Sequence, residues 1–185
     1  DFQLGFCPRS GRALLEHLGV PRVHFVAHSM GGRSAFGLLA REPGRFASLV
    51  FSGTNAGCVD DRYRARKAEL EADGTLAGSL LRRALKDGFA AEDPAMAYLY
   101  ARVRALNPKR EPDFLAPTGR MVNYRGSTAS RLAESGLPIL WIVGDRDRVM
   151  PPDLIRISHA LTPGSRSWAS APRGGPLTLE PWVPC

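Results

Sequence analysis

The chain of 185 residues is poor in the residues that build disulfide frameworks and metal sites. It has three cysteines and four histidines. Cys7, Cys58 and Cys185 form neither a CxxC pair nor a metal-ligand spacing. A sparse, odd cysteine count is typical of a reducing compartment, which predicts a cytoplasmic protein. No pattern implies a metal or another cofactor, and we expect none.

Long apolar runs are also missing. No stretch is long enough to span a membrane, while an apolar share of 44% predicts a packed core rather than a disordered chain. The N-terminus carries no secretory signal, and the chain opens with Asp1 rather than Met. We therefore expect the sequence to be a fragment of a longer protein.

The positive charge has no organised pattern. The net charge is +7, and the only lysines are Lys67, Lys86 and Lys109. The arginines are scattered over predicted helices, with no basic stripe interleaved with aromatic residues. This favours solvated helix faces over a nucleic-acid surface, so we expect a small-molecule partner and neither nucleic acid nor membrane.

The stretch VHFVAHSMGG, residues 23–32, places a serine at a sharp turn. Its first half is apolar and partly β-branched, which predicts a short buried strand. Apolar residues at helical spacing follow Gly31 and Gly32. Ser29 therefore sits where a strand turns into a helix, beside N–H groups that the helix leaves unsatisfied. A developing oxyanion would bind there.

Strands and helices alternate along the first part of the chain. The pattern predicts strands at 22–27, 46–53 and 137–143 and helices at 11–19, 31–41 and from Asp153. Such alternation builds a parallel sheet with helices on its faces. From Asp60 to about Leu106 the chain predicts helices with no strand between them. After Gly164 we recognise no strand.

Two motifs resemble the α/β-hydrolase family. The sequence A-H-S-M-G-G resembles its nucleophile elbow, G-x-S-x-G, with Ala27 in place of the first glycine. Gly144, Asp147 and Pro151 match the G-x-x-D-x-x-x-P turn that follows the family's acid-bearing strand. The resemblance implies that Ser29 is the nucleophile, Asp147 the acid of the triad, and the Met30 N–H an oxyanion donor.

Alternatives to these roles stay open. Ser29 would otherwise be a passive serine in a tight turn, and Asp147 would only cap its own turn. We expect Asp145, two residues nearer the strand, to hydrogen-bond turn backbone instead of acting as the acid.

The resemblance predicts a partial α/β-hydrolase fold with a helical cap insertion. Residues 1–56 would form core with the elbow, 57–127 the cap, 128–163 core with the acid strand, and 164–185 an aberrant tail. The early strands of the family and the loop with its second oxyanion N–H are missing from this chain.

The triad's histidine is not found where the family has it, after the acid and one more strand. His17 and His24 precede the acid. His28, beside the nucleophile, should line the pocket edge or be buried and hydrogen-bonded. His159 follows Asp147 closely, on the predicted helix after the acid strand, and is a poor candidate base.

A shift of reading frame would account for the missing histidine. Residues 171–178, A-P-R-G-G-P-L-T, can be encoded so that dropping the first base gives L-P-G-A-G-H-S-P. That string resembles the family's histidine loop. We therefore interpret the tail as frame-shifted, with the catalytic histidine encoded near residue 175.

Two functions follow from these observations. The first is a serine hydrolase that cleaves an ester, lactone or related acyl bond through an acyl-enzyme. The alternative is a catalytically inactive remnant or a non-catalytic binding module of the same fold. The sequence does not specify the substrate or the oligomeric state.

We predict that the gene encodes G-H-S-P in a shifted frame after Pro163. Sequencing the DNA through the codon for Cys185 and beyond tests this, because the codons for residues 171–178 then translate to the histidine loop when one base is dropped. Codons that give G-H-S-P in none of the three frames would contradict the prediction.

Overall fold

The computed structural model describes residues 6–77, 88–106 and 128–170. The described strands are β1 (Val23–His28), β2 (Phe46–Ser52), β3 (Ile139–Gly144) and β4 (Arg166–Ser170). The described α-helices are α1 (Phe6–His17), α2 (Gly31–Leu39), α3 (Asp61–Ala72), α4 (Phe89–Glu92), α5 (Pro94–Leu106), α6 (Thr128–Glu134) and α7 (Pro152–Ala160). A short 3₁₀ turn, Pro43–Arg45, leads into β2.

The four strands form one parallel sheet in the order β1-β2-β3-β4. His28 is paired with Ser52, Ser52 with Ile142, and Gly144 with Ser170. Because every pair is parallel, the carboxyl ends of all four strands meet at one edge of the sheet. Segments that leave the strands at this edge are the ones that can build a common site.

Helices α2, α6 and α7 pack on one face of this sheet. Side chains of α2, α6 and α7 pack in a single buried cluster with alternate residues of the strands. The principal members of that cluster are Ala27, Phe36, Phe51, Leu132, Trp141 and Ile155. The strand residues between these point to the other face of the sheet. There Val26 is 69% exposed, and Val50 and Leu140 are half-buried.

Trp141 is the largest fully buried side chain and fixes the middle of the sheet. Its ring lies 4.7 Å from that of Phe51, centroid to centroid. Its indole Nε1–H donates to the buried Thr162 Oγ1 at 3.1 Å, just beyond α7. The bond satisfies a polar group that burial would otherwise leave unpaired. Strand β3, and with it the turn that follows, is thereby held to the rest of the core.

The α/β class and the parallel sheet are confirmed, and β1, β2 and β3 lie where the pattern predicts them. The expectation of no strand after Gly164 is wrong. Arg166–Ser170 forms β4, which pairs along β3 from Leu140 to Gly144. Its sequence, RSWAS, has weak strand propensity, and pairing with the buried β3 overrides that local preference.

The predicted cap is only partly described. Helices α3, α4 and α5 follow one another, with no strand between them in the described ranges. Residues 78–87, 107–127 and the tail 171–185 lie outside the described residues, so the division into core, cap and tail stays a prediction. None of the described helices combines the length and the apolar character needed to cross a membrane.

Gly32→Ala should lower the free energy of unfolding by about 1–3 kcal/mol, because it overpacks a closed contact. A Cβ at Gly32 would lie 2.6 Å from Thr54 Oγ1 and 2.7 Å from its Cγ2. Thr54 is buried and its hydroxyl accepts the Ala56 N–H, so it has little room to move. Urea denaturation of the purified chain measures the loss.

Gly31→Ala is the matched control, since a Cβ there meets nothing within 4 Å. It should leave stability unchanged or slightly raised, because alanine is the better helix former. The double variant Gly32→Ala with Thr54→Ala should recover part of the loss. Equal midpoints for Gly31→Ala and Gly32→Ala would show that the Gly32 contact is unimportant.

Candidate active site

Ser29 occupies the turn between β1 and α2 in a conformation that serine rarely adopts. Its φ is +50°, and among the described non-glycine residues only Ala56 shares a positive φ. Its backbone N–H donates to Ser52 O at 3.0 Å, which ties the turn to the end of β2. Such a conformation costs on the order of 1–3 kcal/mol and persists where surrounding contacts fix it. The side chain is exposed, as a nucleophile must be.

The turn into α2 leaves two N–H groups beside Ser29, those of Met30 and Gly31, without a hydrogen bond to any described residue. Gly32 N–H donates to Ser29 O and Arg33 N–H donates to Met30 O, both at 3.1 Å. Met30 has helical φ and ψ at the N-cap position. Its own N–H makes no hydrogen bond to any described residue. An oxyanion formed at Ser29 could therefore accept this N–H, as expected for Met30.

The turn after β3 is built around the Asp147 carboxylate. The Asp147 N–H donates to Gly144 O at 3.1 Å, and the N–H groups of Val149 and Met150 each donate to Oδ1 at 2.8 Å. All the hydrogen bonds recorded for this carboxylate within the described residues fall on Oδ1. Oδ2 is left to face the end of β2, so one oxygen holds the turn and the other is directed into the site.

The backbone-bonding role expected for Asp145 belongs to Asp147 instead. The Asp145 side chain is about one-third exposed (34%), and within the described residues its only partner is Arg146, at 3.9 Å. The expectation was wrong because the order of the two aspartates in the sequence does not reveal the dihedral angles of the turn. Those angles decide which carboxylate points back at the backbone amides. Asp147 does cap its turn, but with one oxygen only.

Gly53 lies where the Ser29 turn and the Asp147 turn come together. It follows β2 with a φ of +55°, and its N–H donates to Ile142 O at 2.9 Å. A Cβ built on Gly53 would lie 3.5 Å from Asp147 Oδ2 and 3.6 Å from the Cε1 atom of His28. Glycine is the residue suited to this position because of both its φ and the space above it.

The four histidines divide between the two edges of the sheet. His28 lies at the carboxyl edge, exposed and beside Gly53, so the expectation that it lines the site edge fits better than a buried role. His24 contacts Ser48 near the start of β1, and His17 ends α1. His159 contacts Ser165 O at 3.1 Å beyond the end of α7, at the edge where β4 begins.

The other nucleophilic side chain near α2 is not reactive at neutral pH. Cys58 is completely buried, and burial raises the pKa of its thiol to about 12, although the nearby positive charge of Arg33 acts in the opposite direction. Burial also lowers the pKa of Arg33 and raises that of Tyr63. Since a thiol reacts as its thiolate, Cys58 has a structural role here, whereas the Ser29 hydroxyl is exposed.

Sequence reasoning missed Gly53 and the contacts it makes. The available signal was a glycine directly after the apolar strand LVFS, which is weak because glycines commonly end strands. The importance of Gly53 comes from the register that places it between two other strand ends. Among the described residues there is no group of three His, Cys, Asp or Glu side chains able to hold a metal ion.

A family model described as the alpha/beta hydrolase fold matches residues 1–109. The chain belongs to the alpha/beta hydrolase family. The match covers the elbow strand, the serine turn, α2 and β2, and the acid turn lies beyond it at the corresponding edge of the sheet.

Two curated relatives carry the names of hydrolases. The chain is 28% identical over 151 residues to a monoacylglycerol lipase of Mycolicibacterium smegmatis, covering 82% of this chain and 53% of the relative. It is 26% identical over 169 residues to a 2-hydroxy-6-oxononadienedioate/2-hydroxy-6-oxononatrienedioate hydrolase of Paraburkholderia xenovorans, covering 79% and 53% respectively. The chain thus spans about half the length of the curated relatives it matches.

Solved structures agree on the fold. Est816, described as an N-acyl homoserine lactone degrading enzyme, superposes with a TM-score of 0.62 at 22% identity, over 88% of this chain and 64% of that one. A thermophilic esterase from Thermogutta terrifontis gives 0.60 at 19% identity, over 85% and 59%. At these identities the likeness concerns the fold alone.

Asp147→Ala should lower the free energy of unfolding by about 1–3 kcal/mol, because it removes the acceptor of two backbone N–H groups. Asp147→Asn keeps an oxygen at the Oδ1 position and should lose less. Denaturant titration of both variants against the parent chain measures the difference.

Asp145→Ala is the control in the same turn, since its carboxylate caps no backbone in the described structure. We expect a change within about 0.5 kcal/mol, as is usual for an exposed side chain. If Asp145→Ala lowered the free energy of unfolding as much as Asp147→Ala, Asp145 would be the residue that caps the turn.

Proposed function

We propose that Ser29 is the nucleophile of a serine hydrolase that cleaves an ester, lactone or related acyl bond. The observation that carries the proposal is the strained, exposed Ser29 turn, with the Asp147 carboxylate at the same sheet edge. Strain of this kind is found where function requires it. It turns the hydroxyl out of the sheet instead of into the helix.

The proposed reaction proceeds in two halves. Ser29 Oγ attacks the substrate carbonyl while a histidine takes its proton, and the Met30 N–H stabilises the oxyanion. Collapse of this intermediate expels the leaving group and gives an acyl-enzyme, which water then hydrolyses through the same groups. Asp147 Oδ2 orients the histidine and stabilises its protonated form, while Oδ1 keeps the turn in place.

The relatives support hydrolysis without selecting a substrate. One is named for a monoacylglycerol and the other for an oxo-dienedioate. We place the substrate among small molecules with an ester-like or ketone acyl group. We assign its selection to the predicted cap, 57–127.

The proposal needs a histidine to accept the proton of Ser29, and the 185-residue sequence does not supply one after β4. We place it near residue 175, in the shifted frame, among residues that lie outside the described part. Strand β4 supports this placement, since it is parallel to β3 and its Ser170 is paired with Gly144. The chain therefore leaves β4 at the edge that carries Ser29 and Asp147.

A non-catalytic member of the fold is the second candidate. It is favoured by one observation: of the four histidines in the sequence, none other than His28 lies at the carboxyl edge. With no base placed between Ser29 and Asp147, turnover by the chain as printed should be slower by several powers of ten.

We predict that a frame-corrected gene with its upstream codons yields a hydrolase of short-chain p-nitrophenyl esters, and that Ser29→Ala lowers its kcat/KM by roughly 10⁴–10⁶-fold. The serine should also be labelled by a fluorophosphonate probe, with the adduct located by peptide mass spectrometry. Ser34→Ala, in helix α2 directly after the Ser29 turn, is the control and should keep full activity.

The printed 185-residue chain, assayed in parallel, separates the two candidates. Slow or absent turnover there, with full turnover after frame correction, fits a hydrolase whose histidine is encoded in the shifted frame. If the frame-corrected protein folds but neither hydrolyses esters nor labels at Ser29, the non-catalytic candidate replaces the proposal.

A further inference from the structure

The imidazole of His28 and the outer oxygen of Asp147 share one space above Gly53. From the position of a Cβ on Gly53, Oδ2 lies at 3.5 Å, His28 Cε1 at 3.6 Å and His28 Nδ1 at 3.8 Å. The two side chains come from different turns, after β1 and after β3. Because Gly53 has no side chain, both approach the same point at the end of β2.

Both groups have hydrogen-bonding capacity to spare. Asp147 Oδ1 already accepts two N–H groups, and Oδ2 accepts none from the described residues. His28 likewise makes no hydrogen bond with its ring in the described part of the chain, and its side chain is exposed and able to rotate. A carboxylate oxygen and an imidazole N–H form a strong, charge-assisted pair when they meet.

We propose that His28 is a positioning residue for Asp147. His28 donates a ring N–H to Asp147 Oδ2 and so holds this oxygen toward the Ser29 turn. The inference rests on the proposed role of Asp147 as the acid. Because Oδ1 is fixed by the turn, the remaining freedom of the carboxylate is a tilt of Oδ2. A hydrogen-bond donor on the β1 side of the carboxylate limits that tilt before the catalytic histidine forms its own hydrogen bond to Oδ2.

The Asp145 carboxylate does not take the place of His28. Its side chain is 34% exposed and lies 3.9 Å from Arg146, and none of its atoms is among the three nearest to a Cβ on Gly53. His28 is also fixed in position by its backbone, since its strand residue is paired with Ser52 directly before Gly53. The freedom left to His28 is therefore that of its side chain, whose ring lies within 4 Å of the same point as Oδ2.

The test is the tautomer of neutral His28, read from ¹⁵N chemical shifts of the ring nitrogens at about pH 9, where an ordinary imidazole is uncharged. His28→Gln assigns the signals by their loss. In the parent chain we expect one tautomer to dominate, with its N–H toward Oδ2. Asp147→Asn keeps the Oδ1 acceptor but places an NH₂ donor at the Oδ2 position, so the preferred tautomer should invert. Asp145→Asn should leave the parent pattern unchanged.

A second variant makes the test independent of Asp147. Gly53→Ala inserts a methyl group between the two side chains and should abolish the tautomer preference. Gly136→Ala is its match, with a φ of +63° and nothing within 4 Å of the added Cβ, so it carries similar backbone strain without the obstruction. It should preserve the parent pattern.

Identical tautomer populations in the parent, Asp147→Asn and Gly53→Ala chains would overturn the proposal. So would an inversion in Asp145→Asn equal to that in Asp147→Asn. The measurement needs no turnover, so its failure leaves the labelling of Ser29 intact, and a failure of labelling leaves the His28 result intact.

Discussion

The candidate site depends on the end of β2, where three consecutive residues hold three other segments. Ser52 O accepts the N–H of Ser29. The Gly53 N–H donates to Ile142 O, and its bare Cα faces Asp147. Thr54 packs against Gly32 of α2. The Ser29 turn and the Asp147 turn are thus both positioned by this common short segment.

Burial behind this segment explains why it can impose strain. Phe51 and Trp141 are fully buried and stacked at a tilt of 37°, directly beneath the strand ends. The Trp141 indole is further held by Thr162. A close-packed interior resists displacement by fractions of an ångström. The positive φ of Ser29 is therefore sustained by the core rather than by its local sequence alone.

Sequence reasoning reached the elements that local pattern encodes. The serine turn was predictable because a strand, small residues and an amphipathic helix adjoin within one stretch, and β3 because its apolar run is unbroken. Strand β4 was not predictable, since RSWAS becomes a strand only through pairing with β3. The assignment of backbone bonds to Asp145 failed for a related reason: turn dihedral angles, not residue order, decide which aspartate faces the amides. The role of Gly53 arises from strand register and has no local signature.

The direction of each chain segment constrains where a base for Ser29 can originate. Helix α7 starts at the carboxyl edge and runs back, so His159 is delivered to the opposite edge, where it contacts Ser165 O. A base must instead follow a strand that ends at the carboxyl edge. Strands β1, β2 and β3 already end there in Ser29, Gly53 and the Asp147 turn. Only the exit of β4 at Ser170 is left among the described strands, and a residue near position 175 is within about 20 Å of it along an extended chain. The direction of β4 therefore agrees with the proposed placement of the histidine.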